Sequence, residues 1–193
     1  HPSVTLAIRT VLLAQLSLAW TAFEVLSSDL WIAAVNERPN PIAVNFANNA
    51  QTKGQDKSIT ITNLAKYSGH DFNLSNVMGE LFLKEKKVDL DSLQATKFAY
   101  ERAFGASMAS MDDVDLRLLE LVRNLIAHRG GIVDQQFLDR LKEKRLDTHP
   151  DCANSEKEKP FYVDANVVNR LAMASAVSGA ALLQFVIRYL WPT

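Results

Sequence analysis

A single cysteine, Cys152, stands in 193 residues. An internal disulfide is therefore impossible, and a disulfide-stapled secreted scaffold is excluded. A zinc site built from two or more cysteines of one chain is excluded for the same reason. Glycine (7) and proline (6) are scarce, which argues against a turn-rich β-sandwich and against collagen-like or linker sequence. No charge sign dominates: 21 Lys+Arg against 22 Asp+Glu gives −1. A broadly basic nucleic-acid coat and an acidic solvating tail are both excluded. What the chain has is apolar residues, at 48%, enough for a sizeable core and too many for global disorder. The length suits one compact domain over 1–193.

The chain opens on His1 rather than Met, as a tag remnant or an internal start would, so no targeting information is read from it. From Val11 to Val35 the only charges are Glu24 and Asp29. That run is long enough to cross a bilayer, but Gln15, Thr21, Glu24, Ser27, Ser28 and Asp29 are many polar groups for a lipid-facing helix. The expectation is a buried amphipathic helix with Leu12, Leu16, Ala19, Phe23 and Leu26 as its core stripe, and no membrane. Arg38-Pro39-Asn40-Pro41 then reads as a helix stop, and 37–63 as a long surface loop with an extended piece at 58–62.

Helical patterning resumes near Ser75, with Met78, Leu81 and Phe82 on one stripe ahead of Lys84-Glu-Lys-Lys87. Asp91 is expected to cap a helix to about Phe104, stopped by Gly105. Ser110 with Asp113 fits a capping box opening a helix to about His128, ended by Gly130-Gly131. Asp134 caps a helix to about Lys144, and 145–163 reads as a polar surface loop. Asp164 caps a last helix over 165–190, apolar on most faces and expected to be buried. The fold class is all-α: a bundle of about six helices with long helices at both termini.

Chemistry concentrates in Glu120-Leu-Val-Arg-Asn-Leu-Ile-Ala-His-Arg-Gly-Gly-Ile-Val-Asp134. On a helical wheel Val114, Leu118, Leu119, Leu121, Val122, Leu125 and Ile126 fill one apolar arc, with Asp115 its one charge. Arg117, Glu120, Arg123, Asn124 and His128 fall opposite, interrupted by Leu116 and Ala127. Glu120, Asn124 and His128 follow at i, i+4, i+8, so they share a ridge that Arg123 flanks. An imidazole can act as general acid or base near neutrality. A guanidinium can hold phosphate oxygens and stabilise charge on pentacovalent phosphorus. Any half-exposed helix also has a polar face, so the spacing alone does not establish phosphoester chemistry.

Arg123-Asn124-x-x-x-His128, continued by Arg129-Gly-Gly-Ile-Val-Asp134, resembles the Arg-x4–6-His motif of the HEPN superfamily; the close match covers 123–134. The resemblance implies a helical bundle that dimerises, joining two motifs at the interface. It implies a metal-independent endoribonuclease of toxin–antitoxin or phage-defence type, with RNA as substrate and no cofactor. Carried over, His128 is the acid/base, Arg123 the phosphate stabiliser and Asn124 a polar helper. Glu120 matches loosely an acidic residue that some families place upstream, and Arg117 and Arg129 are candidate substrate contacts. Some families have a Tyr two residues after the His; here that residue is Gly130. A nucleotidyltransferase-type antitoxin is a possible partner class, and the cytoplasm the expected location. Other HEPN domains bind nucleotides or proteins without turnover, which is the alternative.

Remaining candidates are weaker. His149-x-x-Cys152 is half a metal site, and His70 with Asp71 would have to come from a distant segment. Cys152 has no oxyanion-hole signature beside it. Lys84, Lys86 and Lys87, and Lys142, Lys144 and Arg145, read as helix-end cations, with phosphate-backbone contact as the functional alternative. The tryptophans read as packing residues.

Overall fold

The computed structural model describes residues 2–48, 61–67, 73–74, 76–85 and 88–192. The protein is all-α. Its helices are α1 (Pro2–Glu37), α2 (Pro39–Asn48), α3 (Ile61–Tyr67), α4 (Met78–Lys84), α5 (Leu93–Phe104), α6 (Val114–Arg129), α7 (Gln135–Glu143) and α8 (Ala165–Leu190). A 3-10 turn, Ala109–Asp112, precedes α6.

Helix α2 falls inside the stretch expected to be a loop, and α3 begins inside it. Pro39 and Pro41 start α2 rather than forbid it, because the first-turn N–H groups have no intrahelical acceptor to lose. The prolines do act one residue earlier: the residue before a proline is pushed out of the α region, and Arg38 is the bend between α1 and α2. Ile61 and Thr62, expected to be extended, are helical. Residues 49–60, with most of the expected extended piece, lie outside the described residues, as do His70, Asp71, Ser75, Lys86 and Lys87.

The caps follow the sequence with small shifts. Ser92, not Asp91, caps α5, its hydroxyl accepting from the Ala95 N–H, and Gly105 closes the helix at φ +66°. Asp113 alone caps α6, accepting from the N–H groups of Asp115 and Leu116 at 2.9 Å; Ser110 lies in the 3-10 turn before it. Asp134 and Asp164 cap α7 and α8 as expected.

The chain divides into two compact units. Unit 1 comprises 1–24 and 110–180, and unit 2 comprises 25–109 and 181–193. In unit 2, Trp31, Ile42, Leu81, Tyr100 and Phe104 are buried. Phe104 meets Phe185 and Tyr189 edge-on, with centroids 5.4 and 4.8 Å away, a favoured aromatic geometry. The Tyr100 hydroxyl donates to the Ser27 carbonyl at 2.6 Å. Gly79 marks a close approach: a Cβ there would stand 2.8 Å from both the Cα and carbonyl O of Ile32. Both atoms are backbone and cannot swing aside. Gly79→Ala is expected to lower stability by about 1–3 kcal/mol, read as a fall in the urea midpoint at unchanged slope.

In unit 1, Leu16, Leu116, Leu118, Leu119, Leu141, Leu146, Phe161 and Leu171 are buried. Residues 145–163 are therefore more than surface loop, since Leu146, Cys152 and Phe161 belong to the core. Val133 N–H donates to Lys159 O and Phe161 N–H to Gly131 O, both at 2.9 Å. These bonds tie the loop to the turn that follows α6.

The long helices are less buried than expected. The buried positions of α1 are Leu13, Leu16, Trp20, Phe23, Ser27, Trp31, Ala34 and Val35, a stripe partly shifted by one residue from the expected one. Val4, Leu6, Ile8, Val11, Leu18 and Val25 are exposed. On α8, Met173, Val177, Leu183 and Ile187 are exposed. Ser3–Glu37 and Ala165–Leu190 are long and apolar enough to cross a membrane by length and composition, and only 22% and 33% of their most apolar windows are buried.

Candidate functional site

Helix α6 is held at both ends by local chemistry. Asp113 satisfies two orphan N–H groups at its start. At its end Gly130 takes the left-handed conformation and its N–H donates to Ile126 O, the backbone geometry that glycine adopts without steric cost. Gly131 follows at φ +79°. His128 and Arg129 thus occupy the last turn, beside the negative end of the helix dipole.

His128 is exposed. It lines a small cleft with Leu121, Asn124, Leu125 and Arg129 of α6, and Asp134, Gln136, Phe137 and Arg140 around α7. Two guanidiniums, two amides and an imidazole therefore surround one depression. Its one carboxylate, Asp134, is already engaged: Oδ1 caps α7 and Oδ2 lies 3.6 Å from Arg129 Nε. Arg140 and Gln136 were not singled out in the sequence. Their signal was the apolar stripe of α7, Phe137 and Leu141, which turns the residues beside Phe137 toward α6.

The rest of the polar face is divided among other contacts. Arg123 donates to Glu24 Oε1 of α1 at 2.8 Å, and its guanidinium lies over the Trp20 ring, 5.4 Å from the centroid. Glu120 is buried and accepts from Lys144 Nζ at 2.7 Å. Arg117 Nη1 donates to the Lys144 carbonyl at 3.4 Å. Leu116, expected on the polar side, is fully buried. Val114, expected on the apolar arc, is exposed. The chain leaving α7 covers the Leu116–Glu120 side of α6, and that change of neighbours cannot be read from a wheel. Of the six candidate residues, the cleft brings together Asn124, His128 and Arg129; Arg117, Glu120 and Arg123 are engaged elsewhere in unit 1.

Asp115, the lone charge of the apolar arc, belongs to a separate cluster. His149 Nε2 lies 3.0 Å from Asp115 Oδ1, and the Asp151 N–H donates to His149 Nδ1 at 3.3 Å. With Nδ1 accepting, the ring proton sits on Nε2 and points at Asp115. Arg170 of α8 pairs with both Asp115 and Asp151. A guanidinium already neutralises these carboxylates, so the cluster reads as a structural clamp on the loop. Among the described residues no group of three or more His, Cys, Asp or Glu is arranged to hold a metal.

Cys152 is buried, and burial pushes its thiol up to about 12. The thiol is therefore a weak nucleophile near neutrality. Modification by a disulfide reagent at pH 8 is expected to be at least about tenfold slower in the native protein than in urea, because burial lowers the thiolate fraction by more than it raises thiolate nucleophilicity. Equal rates would contradict that burial. The same shift contributes stability below the ordinary thiol pKa, and the contribution is lost as pH rises toward about 12.

No family model, curated protein or solved structure matches this chain.

Proposed function

We propose that the protein is a metal-independent endoribonuclease of HEPN type, acting as a homodimer with His128 as its acid/base. The observation that carries the reading is the cleft at the end of α6. An exposed imidazole stands there with Asn124 one turn before it and Arg129, Arg140 and Gln136 around it. That set offers a proton-transfer group and two cations beside one another, which is what cleavage of a phosphodiester by its own 2′-hydroxyl requires.

In the reaction, His128 of one subunit takes the proton from the ribose 2′-hydroxyl. The freed oxygen attacks phosphorus, and the bond from phosphorus to the 5′-oxygen breaks. A second acid, His128 of the other subunit, protonates the leaving 5′-oxygen. The products are a 2′,3′-cyclic phosphate and a 5′-hydroxyl. Arg129 and Arg140 hold the non-bridging oxygens, and Asn124 orients the phosphate or the imidazole. The exposed Met173 and Val177 of α8 supply apolar area for self-association. On this reading the protein works in the cytoplasm, and a nucleotidyltransferase-type antitoxin is a partner to seek.

The decisive experiment incubates the purified protein with RNA in EDTA. Cleavage that survives EDTA and leaves cyclic phosphate ends supports the reading. Intact RNA across varied sequences and structures would sink it.

The second reading, a HEPN-like module that binds a nucleotide or partner without turnover, is favoured by one observation. Arg123, which the motif assigns to the scissile phosphate, is held by Glu24 and Trp20. Nucleotide binding at the same cleft, with RNA left intact, would select it.

A further inference from the structure

A groove in unit 1 runs between the first turns of α1 and the extended segment 160–163. Thr5, Ile8, Arg9 and Leu12 form one wall, and Pro160, Phe161, Tyr162 and Val163 the other. Its volume is about 360 Å³, within the range of small-molecule sites. The lining is apolar apart from the Thr5 and Tyr162 hydroxyls and one charge, Arg9.

Arg9 is half-buried and incompletely satisfied. Its Nη2 donates to the Gly131 carbonyl at 2.9 Å. Its Nε is buried with no acceptor, and among the described residues no carboxylate pairs with it. A guanidinium carries five N–H donors, so one bond to a carbonyl leaves most of its capacity unused. A cation drawn out of water without a counter-charge is unfavourable. The guanidinium has no carboxylate beside it among the described residues and stays part-exposed, so it is available to an anion in the groove.

We propose that this groove binds a single-chain amphiphilic carboxylate, with its head on Arg9 and its aliphatic tail along Ile8, Leu12, Phe161 and Val163. One unpaired cation calls for a monoanion, since no second cation lines the groove to balance a dianion. A guanidinium pairs well with the oxygens of a carboxylate. The two walls leave room for one chain between them, and the cation is part-buried. These features favour a single free amphiphile over the face of a bilayer.

The test is calorimetric titration of the full chain with decanoate below its micellar range, beside decanol and decylammonium. Saturable one-to-one binding of decanoate is expected, with decanol at least about tenfold weaker and decylammonium silent, a factor set by one charge-assisted contact. Arg9→Gln should weaken decanoate by about tenfold or more. Ile8→Glu should do the same from an already exposed position, with an unchanged far-ultraviolet spectrum. Equal binding of decanoate and decanol, no effect of either substitution, or no saturable heat at millimolar decanoate would overturn the proposal. Co-sedimentation with phosphatidylcholine–phosphatidylglycerol vesicles without decanoate binding would also overturn it, and would assign the groove to a membrane surface.

Discussion

His128→Ala is expected to lower RNA cleavage by about 10²–10⁴-fold, the usual contribution of a positioned acid/base, with no loss of helical content. The side chain is exposed and carries no packing load, so a large loss of activity in a folded protein can only come from chemistry at the cleft. The arginines then separate two descriptions of the phosphate site. If Arg129 and Arg140 hold the phosphate, Arg129→Ala and Arg140→Ala should each reduce cleavage, and Arg123→Ala should act mainly on stability through its bonds to Glu24 and Trp20. If Arg123 reaches the phosphate, it must leave Glu24 to do so. Glu24→Gln should then raise cleavage while Arg123→Ala removes it. Full activity in His128→Ala would refute the site in either description.

Trp31→Ala is expected to cost about 3–5 kcal/mol, the range for emptying a large buried aromatic site. Trp31 is fully buried in unit 2. Its indole Nε1 donates to the Ala99 carbonyl at 3.3 Å, and its ring meets Phe82 edge-on at 6.4 Å. The side chain thereby joins α1 to α4 and α5. Trp31→Phe keeps much of the packing and drops the hydrogen bond, so it should cost less, by the difference between a cavity and one unmade bond. Chemical denaturation of both variants checks the order. A midpoint in Trp31→Ala within error of the wild type would show that this core is not what holds unit 2.

Local signals were the part of the fold that could be read from letters. Asp113, Asp134 and Asp164 cap helices because a carboxylate in that position satisfies nearby N–H groups whatever the tertiary context. Gly105 and Gly130 end helices because only a left-handed residue lets the chain turn there. The same logic fails at Pro39-Asn-Pro41, because proline suits the first turn of a helix as well as its end. The stripe on α1 was partly misplaced by one residue because apolar side chains surround that helix, so periodicity alone had several nearly equal answers.

The candidate site divides the same way. Asn124 and His128 share one ridge of α6 because i, i+4 geometry is fixed within any helix, and Gly130-Gly131 release the chain directly after Arg129. Which polar groups share the cleft with His128 follows from the packing around α6. That packing moved Arg123 onto Glu24, buried Glu120 against Lys144, and brought Arg140 and Gln136 across from α7. The physical reason is that a helix sets angles between its own residues. Which charges stay in water, which pair and which line a cleft depends on the elements packed against it, and those contacts join residues as far apart as Glu24 and Arg123.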